Sequence, residues 1–123
     1  MRSLPYVLAD VFTDTPLQGN QLAVFTDPGD LPDERMRALA RETNLSETVF
    51  LLPPEDGGTA RVRIFTPAAE LPFAGHPILG TAVIVALRER LDEVVLETGR
   101  GPVPVRMRRG GERVASGAMD QPV

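Results

Sequence analysis

An α+β fold is predicted here: a mixed, curved β-sheet wrapped on one buried central helix, with a second, amphipathic helix outside. Three observations predict it. Short runs rich in strand-favouring residues recur along the chain, separated by Pro, Gly, Asn and Asp. The segment Ile78 to Leu87 is uncharged, and apolar apart from Gly80 and Thr81; a helix that is apolar all round is a buried one. A third segment repeats Met36, Leu39, Ala40 and Thr43 at helical spacing, which is the signature of a surface helix. Strands interleaved with these two helices give a sheet layer packed on helices.

The elements follow in order. Tyr6 to Phe12 and Gln21 to Thr26 favour strands, and Thr13 to Asn20 between them carries the turn chemistry of Asp14, Pro16, Gly19 and Asn20. After the turn Asp27-Pro28-Gly29-Asp30, Pro32 sits near a helix start, with Asp33 and Glu34 complementing the helix dipole. Asn44 suits a left-handed stop for that helix. Thr48 to Leu52 reads as a strand ended by Pro53-Pro54. In Arg61 to Thr66, Val62 and Ile64 alternate with Arg61 and Arg63. The buried helix runs from the Gly75-His76 junction to about Glu89. Asp92 to Thr98 and Pro102 to Arg108 are two more strands, Arg106, Arg108 and Arg109 lying on a solvent face. Gly110-Gly111 marks a hairpin into a returning strand from Glu112 to Met119.

At 123 residues this is one domain, 1–123, with enough chain for a single core. A net charge of −4 opposes nucleic-acid binding, which needs a basic field. No cysteine is present, so disulfides and thiolate catalysis are excluded by residue type, and a reducing, cytoplasmic setting is expected. One histidine is too few for a zinc site. No apolar run reaches bilayer length and none resembles a signal core, so no membrane partner is expected.

Two segments carry candidate chemistry. In Glu70-Leu71-Pro72-Phe73-Ala74-Gly75-His76-Pro77, the histidine stands where a loop becomes a helix. Gly75 permits close backbone approach, and Pro77 suits the first helical position because it has no N–H to leave unpaired and its φ is already helical. A helix start with free N–H groups and a titratable imidazole favours a carboxylate or oxyanion. The plain alternative is a capping or core histidine. Glu70 could pair with His76 across the loop, or be exposed. In Asn44-Leu45-Ser46-Glu47, the spacing fits a capping box, but Pro53-Pro54 follows too soon for a helix. Glu47 then stands at the mouth of the apolar strand Val49-Phe50-Leu51, where partial desolvation helps a carboxyl exchange protons near neutrality. A solvated strand-end glutamate is the alternative. Gly19-Asn20 is either a ligand-contacting or a structural turn, and nothing local marks Ser46 as a nucleophile.

Taken together, Asp10-Val11-Phe12-Thr13, Gly19-Asn20-Gln21-Leu22-Ala23-Val24, Asn44-Leu45-Ser46-Glu47-Thr48, Arg63-Ile64-Phe65-Thr66-Pro67-Ala68-Ala69-Glu70 and Ala74-Gly75-His76-Pro77 occur in an order that resembles the PhzF-like (phenazine-biosynthesis-like) isomerase family of the diaminopimelate-epimerase-like superfamily. The resemblance implies a half-barrel of sheet around a central helix, normally present twice as pseudo-symmetric domains with the active site in the cleft between them. It also implies that no organic cofactor or metal is used. Glu47 matches the acid/base glutamate, His76 the cleft histidine, and Gly75 a backbone donor to the substrate carboxylate; Asn20 and Ser46 are expected on the substrate-binding side. The substrate in the best-known members is a dihydro-hydroxyanthranilic acid. True epimerases of the superfamily carry cysteine where this chain has Ala74, which disfavours a two-thiol racemase.

The departure from the pattern is length: the second half is missing. The chain is either a fragment or a stand-alone half-size member, and the opposite wall is expected from a homodimer, isologous pairing being the commonest oligomer geometry, or from a missing C-terminal half. The expected function is a proton-shifting isomerase acting on a small carboxylate. The alternatives are a non-catalytic carboxylate-binding or assembly module and, last, an amino-acid epimerase or racemase.

Overall fold

The computed structural model describes residues 4–11, 20–110 and 113–119. Its elements are β1 (Tyr6–Val11), β2 (Asn20–Phe25), α1 (Asp33–Thr43), β3 (Glu47–Leu52), β4 (Ala60–Phe65), β5 (Glu70–Leu71), α2 (Gly75–Glu89), β6 (Glu93–Thr98), β7 (Gly101–Gly110) and β8 (Arg113–Met119). The strands make one mixed sheet in the order β1-β2-β3-β4-β6-β7-β8, with β5 paired to β4. The β2–β3 and β4–β6 pairs are parallel. Parallel neighbours need a long crossover, and these two are spanned by α1 and α2.

Side-chain alternation sorts the core onto two faces. Val24, Val49 and Ile64 pack with Ile78, Ala82 and Val85 of α2. Their immediate neighbours Phe25, Phe50 and Phe65 pack with Met36 and Ala40 of α1. Successive strand residues point to opposite faces, so β2, β3 and β4 are apolar on both sides because a helix covers each. Phe50 stacks on Phe25 at 5.0 Å and meets Phe65 edge-on at 5.5 Å. The two-residue β5 was not expected, since so short a strand leaves no periodic trace.

Helix α1 matches its expected limits. The Pro32 carbonyl accepts the N–H groups of Arg35 and Met36 at 3.0 and 3.1 Å. Asn44 ends the helix at φ 51°, and its N–H returns to the Ala40 carbonyl. Helix α2 packs against β1, β2, β3, β6, β7 and β8. Its burial stops sooner than expected: Ala86 is fully buried, whereas Leu87 is 53% exposed. Arg88, Glu89 and Arg90 are exposed with it, so the last turn has left the cover of the sheet. Among the described residues no helix is long and apolar enough to cross a membrane. Arg106 lies on the solvent side as expected, 3.9 Å from Glu93. The side chains of Arg108 and Arg109, and all of Phe12, Thr13 to Gly19, Gly111 and Glu112, lie outside the described residues.

One buried carboxylate organises the far side of the sheet. Glu97 in β6 is 7% exposed. Its Oε1 accepts the N–H of Glu55 at 2.7 Å, and its Oε2 accepts those of Asp56 and Gly58 at 2.9 and 2.7 Å. A methyl group on Gly58 would stand 2.8 Å from that Oε2, so only glycine lets the β3–β4 loop close on the carboxylate. The Glu55 N–H chiefly, with those of Gly58 and Asp56 and the charge of Arg61, holds the Glu97 carboxyl below its ordinary 4.5 despite burial, which acts the other way. A carboxyl lowered in this way stabilises the fold fully above its unfolded value, and the contribution is lost as pH falls through the folded one. Glu97→Gln is therefore expected to lower the thermal midpoint at pH 7, with its gap to the native chain closing as pH falls below 4.5; thermal melts across pH 3–7 check this. A gap that stays constant with pH refutes it.

Candidate functional site

Three of the expected site positions fall at one end of the sheet. In the parallel β2–β3 pair Glu47 is opposite Leu22, two residues after Asn20, so both strands begin at the same end. The other end is marked by a cleft that brings Thr26, Asp27, Leu52 and Pro53 against Val85, Arg88 and Glu89. That cleft holds the end of α2. A 15-residue helix is about 22 Å long, close to the ~20 Å of a six-residue strand. The start of α2 at Gly75 is thus carried back to the end where Asn20 and Glu47 stand.

Glu47 is half-buried, and its carboxylate makes no hydrogen bond or ion pair with another described side chain or backbone group. Its place is set by both neighbours. Asn44 turns the chain out of α1, and Thr48, 1% exposed, shares a 3.0 Å hydroxyl contact with Thr43. The exposed Ser46 lies between them. The capping-box alternative fails because Asn44 closes α1 and β3 follows at once.

Helix α2 begins without a side-chain cap: Ala74 is extended, at φ −155°, and its carbonyl accepts only the Ile78 N–H, at 3.2 Å. Pro77, expected at the first helical position, is the third residue of α2, because the chain already turns helical at Gly75; it has no N–H, so the unpaired donors of this first turn are the backbone N–H groups of Gly75 and His76, which meet no acceptor among the described residues. Such a start is a place for an anion. For His76 and Asn20 the described structure ends at the backbone, and their side chains lie outside it.

Glu70 has Arg63 as its partner. Its carboxylate accepts two bonds from one edge of the Arg63 guanidinium, from Nε at 2.8 Å and Nη2 at 2.7 Å, while Arg63 Nη1 donates to Asp33 at 2.6 Å. The β4–β5 register pairs Phe65 with Glu70, which places Arg63 on the diagonal of the same face, within reach of a long side chain. The turn between them is closed by Thr66, whose hydroxyl accepts the N–H groups of Ala68 and Ala69 at 3.2 and 3.1 Å. Asp33 is held below its ordinary range by its hydrogen bond to Arg63, and Arg63 is driven above its own, chiefly by Glu70 and then Asp33. This pair was missed in the sequence; the trace it left was Arg and Glu flanking one Thr-Pro turn. No group of three or more metal-ligating side chains occurs among the described residues.

The fold is that of the epimerase-like half-barrels: a hydroxyproline epimerase from Agrobacterium vitis superposes with a TM-score of 0.72 over 93% of this chain and 40% of that one, at 17% identity. Residues 9–123 match the phenazine biosynthesis-like (PhzC-PhzF) family, and the chain belongs to it. A PhzF-family protein from Bacillus anthracis superposes with a TM-score of 0.80 at 28% identity, over 92% of this chain and 38% of that one. A trans-2,3-dihydro-3-hydroxyanthranilate isomerase from Pseudomonas aeruginosa is 51% identical over 96% of this chain and 42% of its own length. The namesake from Pseudomonas fluorescens is 48% identical over the same shares, 96% and 42%. The chain thus spans about two-fifths of the length of the curated relatives it matches.

Because Arg63 joins α1, β4 and β5 through charge-assisted bonds with only 17% of its side chain exposed, Arg63→Ala is expected to cost about 1–2 kcal/mol in urea denaturation. Arg63→Lys should recover only part of it, since an ammonium lacks the two-pronged geometry. Equal stability of the native, Lys and Ala forms contradicts the assignment.

Proposed function

We propose that this chain supplies one wall of an isomerase that moves a proton within a small carboxylate-bearing substrate of the dihydro-hydroxyanthranilate kind, without an organic cofactor or metal. Glu47 takes a proton from one end of an allylic unit, the double bond migrates, and the same carboxyl returns the proton to the other end on the same face. The backbone N–H groups of Gly75 and His76 receive the substrate carboxylate, the imidazole polarises the substrate, and Asn20 and Ser46 lie on the binding side. The facing wall comes from a second half or a second copy, and the protein works in the cytoplasm.

One observation carries this reading. A half-buried glutamate with no described partner shares the end of the sheet with the uncapped start of α2, in a chain 51% identical to an isomerase of that substrate. A two-thiol racemisation is disfavoured because Ala74 puts a methyl group at the residue before Gly75. In a protein completed with a second half, Glu47→Gln is expected to lower turnover by about 10²–10⁴, with loss of solvent-deuterium entry into product while the fold stays intact. Deuterium entering at the native rate removes Glu47 from the chemistry.

A further inference from the structure

The turn between β6 and β7 stands against the segment that leads into α2. A methyl group on Gly99 would lie 2.9 Å from Pro72 Cα, 3.0 Å from its Cβ and 3.2 Å from its carbonyl oxygen. Two of these three atoms are backbone, so no side-chain rotation relieves the contact. Gly99 is not among the described glycines of positive φ, which are Gly29, Gly57 and Gly101. It is therefore glycine for space rather than for backbone conformation.

We infer that Gly99 is a positioning residue for the start of α2: its missing side chain lets the β6–β7 turn back onto Pro72, which fixes where Gly75 and His76 present their N–H groups. The turn itself cannot retreat. Thr98 pairs with Gly101 across it, the Thr98 hydroxyl donates to the Gly101 carbonyl at 2.7 Å, and the Arg100 N–H donates to that hydroxyl at 3.1 Å. Upstream, Glu70 is pinned by Arg63 through two bonds of 2.8 and 2.7 Å. A group added at Gly99 is thus absorbed between Pro72 and Gly75, where the chain enters the helix. Gly99 and Pro72 are both exposed, so the substitution empties no core. The importance of this position for binding rests on the carboxylate site proposed above.

The experiment is amide NMR on the 123-residue chain, free and titrated with anthranilate, for Gly99→Ala and for the neighbouring Arg100→Ala. In Gly99→Ala the amides from Phe73 to His76 are expected to move and those of β3 to stay. A shift of a few tenths of an ångström at a binding donor is expected to weaken anthranilate about tenfold. Arg100→Ala should do neither. Pro72→Ala, which leaves the turn intact but frees the segment, should move the same amides and serves if Gly99→Ala does not fold. Unmoved Gly75 and His76 amides in the folded variants overturn the inference, as does a moved helix start with unchanged anthranilate affinity. If the native chain binds no anthranilate there, the carboxylate reading fails, and the ligand-free shifts alone decide whether Gly99 positions the helix.

Discussion

Helix α2 carries no Asp, Glu, Lys or Arg between Gly75 and Leu87, and a helix of that composition must be covered around most of its circumference. The sheet supplies the cover. Six strands on either side of β4 contact it, which requires the sheet to curl and sets the two parallel crossovers. Burying Ile78, Ala82, Val85 and Ala86 to 3% exposure or less also fixes the helix along its axis. Its two ends are thereby assigned to the two ends of the sheet. The charged last turn emerges at one end and the uncapped first turn opens at the other. Asn20 and Glu47, far apart in the chain, begin neighbouring parallel strands at one end of the sheet, while the last turn of α2 stands at the other end.

The approach to this opening is rigid for reasons separate from the core. β4 has two partners along the same edge: β5 takes Ile64 and Phe65, and β6 takes Ala60 and Arg61. Where β5 gives out at Pro72, which can donate no ladder hydrogen bond, the β6–β7 turn closes against it. The Arg63–Glu70 pair anchors the beginning of this passage, the Thr66 turn shapes it, and α2 receives its end. Side chains that look like surface charge in the sequence are thus the frame on which the helix start is held.

How far the sequence foretells this depends on the range of the interaction. The limits of α1 were legible because Pro32, the acidic first turn and a left-handed Asn44 are local devices that act within one turn. The strands were legible to within about a residue because alternation is local too. β5 was not, since its two residues are a strand only through β4. The overextended burial of α2 has a related cause: Leu87 follows Leu79 and Val83 on the less covered side of the helix, and only tertiary packing decides which side that is. Glu97 left no trace in the sequence beyond its place in a strand, since the loop that buries its carboxylate comes from 39–42 residues away. The pairing of Glu70 with Arg63 hung on strand register, which no local pattern records.

The site was legible in a different way. Local pattern left both Glu47 and His76 with equally good structural readings, and it was the ordered set of five segments that separated them from ordinary residues. The structure supplies the physical reason why those segments travel together. In two of them, Leu22 and Ala23 meet Glu47 and Thr48 as parallel neighbours; Arg63 to Glu70 builds the passage into the helix; and Ala74 to Pro77 is the helix start itself. A substitution that preserved Glu47 but lengthened α1, or reset the Thr66 turn, would leave every residue of the proposed site in place while moving the carboxyl relative to the N–H groups of Gly75 and His76. Proton transfer within a bound molecule is sensitive to displacements of that size. The segments therefore act as one unit, with the framework around Arg63 and Pro72 as much a part of it as the glutamate.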